Sequence, residues 1–273
     1  MMSDTNPLKI GANLTNLRRQ LPLLKQWHGN GTIDYIEILL DNFSTIDPLS
    51  LREALGDIPV GLHIMNSKFL DRAAADLPAV AGLISNWISA FAPIYVSDHV
   101  MRFSMNGFSL PYAVEEDYKR LEAIASKIDF YQGLLKQKIH FENFPSMAPS
   151  GKGQAECLSN VVAKTGCGIL FDVSNAEVAE LNGGDPWADW QEVAKEAAHF
   201  HVAGFAHADR FGCHHDSHDS PPSGRSMSLA RSVIARAQSA AAPTVTIEYD
   251  HNVDSDQWAA ALEALRRRTE GDQ

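Results

Sequence analysis

Apolar residues recur along this chain in two alternating rhythms. Short runs rich in Ile, Val, Phe and Tyr read as buried strands: KIGANL, IDYIEIL, PVGLHIM, PIYVSDH, KIHFENF, GILFDVS, HFHVAG and TVTIEYD. Between and after them apolar residues fall three and four apart, which is helix spacing. These stretches are LRRQLPLLKQWH, LSLREALGD, AVAGLISNWISAFA, VEEDYKRLEAIASKIDFYQGLLK, ECLSNVVAKTG, WADWQEVAKEA, SLARSVIARAQSA and WAAALEALRRR. Eight strands in strict alternation with eight helical segments predict a parallel sheet with crossover helices. Eight such pairs predict closure into a (β/α)8 TIM barrel, one α/β domain over residues 1–273. An open doubly wound sheet is the alternative, but KIGANLTNL carries one glycine and no Gly-rich phosphate loop.

From the third onward the strand-like runs carry a metal-binding side chain at or near their ends: His63, His99, Glu142, Asp172, His201 and Glu248. In a parallel barrel the carboxyl ends of all strands open onto one face, so these six residues would converge. Each alone has a plainer reading, a hydrogen-bonded core histidine or a carboxylate paired with Arg or Lys. Together they pose an electrostatic problem, because several carboxylates buried side by side cost several kcal/mol unless cations neutralise them.

Residues 204–226, GFAHADRFGCHHDSHDSPPSGRS, are too polar and too rich in Gly, Pro and Ser for a core element and read as a long loop after the seventh strand. Loops of that length inside a compact domain are usually functional. Asp216 and His218 are candidates to complete the site, with His214 and His215 beside them; a solvated surface turn is the alternative. Four histidines and four carboxylates exceed what one four-coordinate ion uses, so two or three ions are expected. Imidazole and carboxylate without thiolate suit iron, manganese or zinc, and the residues alone do not choose among them.

A formal charge of −11 argues against a nucleic-acid partner, which needs clustered Lys and Arg. No segment is apolar enough for a membrane span, and MMSDTNPLKI has neither a basic nor an apolar signal region, so the expected compartment is the cytoplasm. Cys157, Cys167 and Cys213 are too few and too scattered for a disulfide framework or a zinc ribbon and are expected to be reduced.

The strings IDYIEILLDNF, GLHIMNSKFLDR, PIYVSDHV, ENFPS, LFDVSNA, HFHVAGF, DSHD and IEYD resemble, in order and over nearly the full chain, the multinuclear non-haem iron-dependent oxidase family. Within it the likeness is to the methanobactin-biosynthesis branch. The resemblance implies a TIM barrel holding two or three irons, mixed Fe(II) and Fe(III), with O2 as cosubstrate. It implies as ligands His63, His99, Glu142, Asp172, Asn175, His201, Asp216, His218 and Glu248. Asn175 enters only by this route, a turn or helix-cap role being its alternative. Glu37, Asp41, Asp98 and Asp250 lie near the same rim, where carboxylates orient ligand imidazoles; structural salt bridges are the alternative. Lys68 and Arg72 are candidates to attract a peptide carboxylate, or are solvated surface charge.

The implied reaction is oxidation of cysteine in a ribosomally made precursor peptide, with conversion to an oxazolone and thioamide, or excision of the cysteine β-carbon from a carrier peptide. A separate leader-peptide recognition protein is implied as partner in a heterodimer. The C-terminal helix WAAALEALRRR could face that partner or pack on the barrel. A zinc-dependent hydrolase or isomerase barrel and a noncatalytic metal- or peptide-binding barrel are the rival classes.

Overall fold

The computed structural model describes residues 8–147, 151–237, 243–251 and 253–269. The opening residues 1–7, and positions 238–240 at the end of SLARSVIARAQSA, lie outside the described residues. In chain order the elements begin β1 Lys9–Leu14, α1 Leu17–Gly29, β2 Tyr35–Leu39, α2 Pro48–Leu55, β3 Val60–His63, α3 Leu77–Phe91 and β4 Val96–His99. A hairpin of β5 Met101–Met105 and β6 Phe108–Glu115 follows, then α4 Leu121–Leu135, β7 Ile139–Glu142, α5 Gln154–Thr165, β8 Gly168–Asp172, α6 Val173–Leu181 and α7 Trp187–Ala194. The chain continues with β9 His199–Ala203, a second hairpin of β10 Phe205–Ala208 and β11 Cys213–Asp216, α8 Gly224–Ile234, β12 Thr244–Glu248 and α9 Ser255–Thr269.

Strands β1, β2, β3, β4, β7, β8, β9 and β12 pair in that order and close into a parallel barrel. These are the eight predicted runs. Their outward side chains and the inner faces of the helices form one apolar layer; Trp258 of α9, for example, is fully buried, donates to Ile247 O and meets Trp27 of α1 edge-on at 5.2 Å. The C-terminal helix therefore packs on the barrel.

Inside the barrel the side chains alternate in rows two residues apart. Tyr35, Tyr95 and Leu170 form a separate buried cluster below the level of His63 and Glu37. The tyrosine rings fit because Gly11 and Gly61 stand beside them; a Cβ on Gly11 would meet the Tyr35 ring at 2.4 Å, and one on Gly61 the Tyr95 ring at 2.6 Å.

The structure corrects the sequence reading at four places. Residues 204–226 are not a plain loop, since β10 and β11 pair antiparallel and α8 begins at Gly224. The segment VEEDYKR is not helical throughout, because Val114 and Glu115 finish β6 and the α-helix starts at Leu121. The β5–β6 hairpin itself went unread, although its Asn106-Gly107 turn, φ 51° and 81°, is a strong local hairpin signal. Helix α6 was also missed: every residue from Val173 to Ala179 is buried, so it shows no one-sided stripe.

Candidate metal centre

The barrel brings the strand-end residues to one level. His63 closes β3, His99 β4, Glu142 β7, Asp172 β8 and Glu248 β12, while His201 sits at the middle of β9; all six are buried. The Nε2 atoms of His63 and His99 are 3.0 Å apart and lie 3.4 and 3.5 Å from Glu142 Oε2. These three residues form one group able to hold an ion, and Glu142, Asp172, His201 and Glu248 form another, with donor atoms within 4.8 Å of one another. Glu142 belongs to both.

The segment that follows β11 adds a third arm. His218 Nε2 lies 2.7 Å from Asp216 Oδ1 and 3.8 Å from Glu248 Oε2. His218 has a left-handed backbone, φ 48°, held because its N–H donates to Gly204 O and its carbonyl accepts from Asp250 N and His251 N. Gly204 permits this approach: a Cβ there would meet Ser220 O at 2.0 Å.

Asn175 lies in the first turn of α6. Asp172 caps that helix through Oδ1, which accepts from Asn175 N, while Asn175 Nδ2 donates to Glu142 Oε1 and Asn143 O. The helix cap is thus Asp172, and Asn175 joins the cluster through its amide.

Two of the four rim carboxylates touch ligand-candidate rings. Glu37 Oε2 is 2.7 Å from His201 Nε2, and Asp250 Oδ2 is 3.1 Å from His218 Nδ1, with its other oxygen accepting from Asn13. Asp41 instead accepts from the Met65 and Asn66 backbone and fixes the loop after β3. Asp98 accepts from His99 N and Tyr131 OH, and burial pushes its carboxyl up to about 7. Lys68 lies over the Phe103 ring and Arg72 donates to Ser67 O, so both serve the same loop. His214 rests against Phe205 and His207 with its backbone bonded to Asn182, and His215 pairs across the hairpin with Ala206; neither is in the two donor groups.

Sequence reasoning passed over Ser97, Asn143 and Tyr95. Ser97 Oγ meets His63 Nδ1 at 2.8 Å, and Asn143 grips Asp172 by both its backbone N and O. Ser97 had a readable signal, standing two residues before His99 and so on the same face of the strand.

Burial depresses the imidazoles of His63 and His99, the latter to about 3, so both are neutral donors. Burial raises Glu142 to about 8, and Asp172 and Glu248 to about 7. Burial would lower His201, but Glu248, Glu37 and Glu142 outweigh it and hold the ring well above its usual range. Asp216 and Glu248 do the same for His218. Glu142 Oε2, Asp172 Oδ2 and Asn175 Oδ1 are buried without a hydrogen bond, while His201 Nδ1, Asp216 Oδ1, His218 Nε2 and Glu248 Oε2 meet one another as ion pairs. Each partnerless atom costs about 1–3 kcal/mol, a cost that cations remove, and so many carboxylates buried beside two charged rings leave negative charge that cations would neutralise. The donor set therefore fits metal ions.

Above the cluster is a small pocket of about 100 Å³. Met65, Met101, Ala113 of the β5–β6 hairpin, Phe144 and Pro145 give it an apolar wall, and His63, His99, Glu142, Asn175, Asp216, His218 and Glu248 face it.

Residues 15–268 match the family model described as RiPP precursor modification enzyme MbnB/TglH/ChrH. The chain belongs to this family. Membership meets the expectation of a precursor-modifying enzyme, with a precursor peptide as substrate and metal as the family's reagent. Among curated relatives, a UPF0276 protein of Caulobacter vibrioides is 26% identical over 254 residues, covering 86% of each chain. One from Rhizorhabdus wittichii is 28% identical over 219 residues, covering 75% of this chain and 76% of its own. In solved structures the MbnB/TglH/ChrH-type chain shares its fold with a xylose isomerase-like TIM barrel protein from Mycobacterium smegmatis in complex with magnesium. The TM-score is 0.65 at 12% identity, covering 98% of this chain and 99% of that one. A D-tagatose 3-epimerase-like protein aligns with TM-score 0.62 at 15% identity over 97% and 99% of the two chains. These likenesses establish the barrel. Among the described residues no helix is long and apolar enough to cross a membrane.

Proposed function

We propose that this chain is a multinuclear non-haem iron-dependent oxidase that uses O2 to modify cysteine in a ribosomally synthesised precursor peptide. The observation that carries this reading is the pair of buried donor groups joined at Glu142, whose unsatisfied atoms call for more than one cation. His63, His99 and Glu142 would hold one ion, and Glu142, Asp172, His201 and Glu248 a second. Asp216, His218 and Glu248 would hold a third, with Asn175 completing the ligand set. Bound iron would supply the one-electron chemistry and O2 activation that side chains lack.

The protein's own residues bind, orient and exclude water. Glu37 and Asp250 fix the rings of His201 and His218, and Ser97 that of His63. The apolar wall keeps water from the donors, and the volume above them suits one small side chain such as cysteine. A methanobactin-like conversion to oxazolone and thioamide is the product favoured by the sequence strings; excision of the cysteine β-carbon would use the same pocket. A separate leader-recognition protein completes the proposed cytoplasmic complex, because a pocket this small reads a side chain and little of the sequence around it.

The test is anaerobic purification with the partner encoded beside the gene, metal analysis and Mössbauer spectroscopy, then O2 with the neighbouring Cys-containing precursor. Two or more irons per chain and an O2-dependent mass change at cysteine are expected, and the mass names the product. Stoichiometric zinc with no O2 uptake would sink the proposal and leave hydrolysis or isomerisation.

A further inference from the structure

Next to the metal pocket lies a second and larger hollow. A cleft of about 810 Å³ runs past the amino end of α1 and the residues that follow β12. Leu39 and Asp250 line both hollows, which therefore adjoin. The smaller one, about 100 Å³, takes a single small side chain, so a peptide's backbone and flanking residues must lie outside it. The adjoining cleft has the volume they need.

Its wall is chemically suited to them. Asn16 and Asn42 present exposed amides, and Asn42 uses Nδ2 on Thr15 O, which leaves its carbonyl oxygen for a peptide N–H. Leu23 and Val253 supply apolar contact. Arg19 is the one Lys or Arg on the wall among the described residues, and its exposed guanidinium has no ion pair or hydrogen bond there. Lys68 and Arg72, by contrast, are engaged by Phe103 and Ser67.

We infer that this cleft seats the residues flanking the reacting side chain of the peptide substrate, with Arg19 pairing an acidic residue of that peptide. The inference rests on the peptide-modifying reading above. It assigns the cleft a role in sequence preference that the metal pocket is too small to perform.

The test uses the full chain and two fluorescein-labelled hexapeptides with one central cysteine, flanked either by glutamates or by lysines, titrated by anisotropy. The wild type is expected to bind the glutamate peptide about fivefold more tightly, and Arg19→Glu to reverse that preference. Arg19→Lys should keep the wild-type order. Arg19 is exposed in the first turn of α1, so all three proteins should fold, with circular dichroism as the check. A photo-crosslinking residue in place of Leu23 should capture the glutamate peptide, and one in place of Leu83, exposed on α3, should not. Equal affinities in the wild type, a preference untouched by Arg19→Glu, or no binding of either peptide would overturn the inference.

The two readings fail separately. Selective binding without any O2-dependent mass change sinks the oxidase alone. A mass change on the natural precursor with no charge preference at Arg19 sinks the cleft alone.

Discussion

Glu37 holds His201 by one ring nitrogen, Oε2 to Nε2 at 2.7 Å, and so turns the other, Nδ1, toward Glu248 at 3.1 Å and Glu142 at 3.6 Å. Burial alone would raise the Glu37 carboxyl, yet His201 outweighs it and keeps it below its usual range. A carboxylate in this position fixes the ring's orientation and raises its basicity as a ligand. Glu37→Gln is therefore expected to weaken metal binding about 10- to 100-fold with the fold intact, as read by competition with a chelator.

Glu142 is shared by both donor groups, whereas His63 belongs to one. Elemental analysis should accordingly find that Glu142→Gln loses more than one metal equivalent per chain and that His63→Ala loses about one. Equal losses in the two variants would show that Glu142 does not link the groups. Stripping the metal from the wild type should lower Tm, because ions bound to the folded state add RT ln(1 + [L]/Kd) to its stability.

Cys157, buried in α5, has its thiol pushed up to about 11 by burial first and then by the nearby carboxylates Glu116 and Glu156. The thiolate is the nucleophile, so alkylation of Cys157 in the folded protein should be negligible at pH 8 and appear only toward pH 11. The linkage has a definite sign. A folded pKa above the unfolded one favours the folded state below about pH 8.5, and that contribution is lost as pH rises through 11. Cys157→Ala should flatten the alkaline loss of stability. Rapid labelling at pH 8, followed by mass spectrometry, would contradict the assignment.

The interior tyrosines set a packing test. Gly11→Ala and Gly61→Ala drive a methyl into the Tyr35 and Tyr95 rings and should each cost about 1–3 kcal/mol in urea denaturation. Gly82→Ala, in α3 with nothing within 4 Å of the new methyl, should instead be neutral or stabilise by up to about 1 kcal/mol.

The barrel strands were legible because parallel strands covered by helices are apolar over most of their length, and a polar residue at the end of such a run stands out. His63, His99 and Glu142 were visible for that reason. Asp216 and His218 were placed near the site by composition, but their route there runs through the β10–β11 pairing and the left-handed turn at His218, which no periodicity announces. Asn143 and Tyr95 escaped because their roles depend on contacts with Asp172 and Glu37, distant in sequence. Arg19 drew no reading from the sequence, and only the fold places it on the wall of the cleft that Asp250 also lines.

Tyr35 and Tyr95, seated where Gly11 and Gly61 give way, close the floor of the barrel beneath the ligand cluster. With the floor filled, the way in among the described residues is the pocket mouth that Ala113 of the β5–β6 hairpin lines, and a peptide lying in the adjoining cleft would stand beside that doorway. Traffic then becomes a matter of order: small reagents enter ahead of the peptide or slip past it, and each product has to clear the threshold before the next turnover begins.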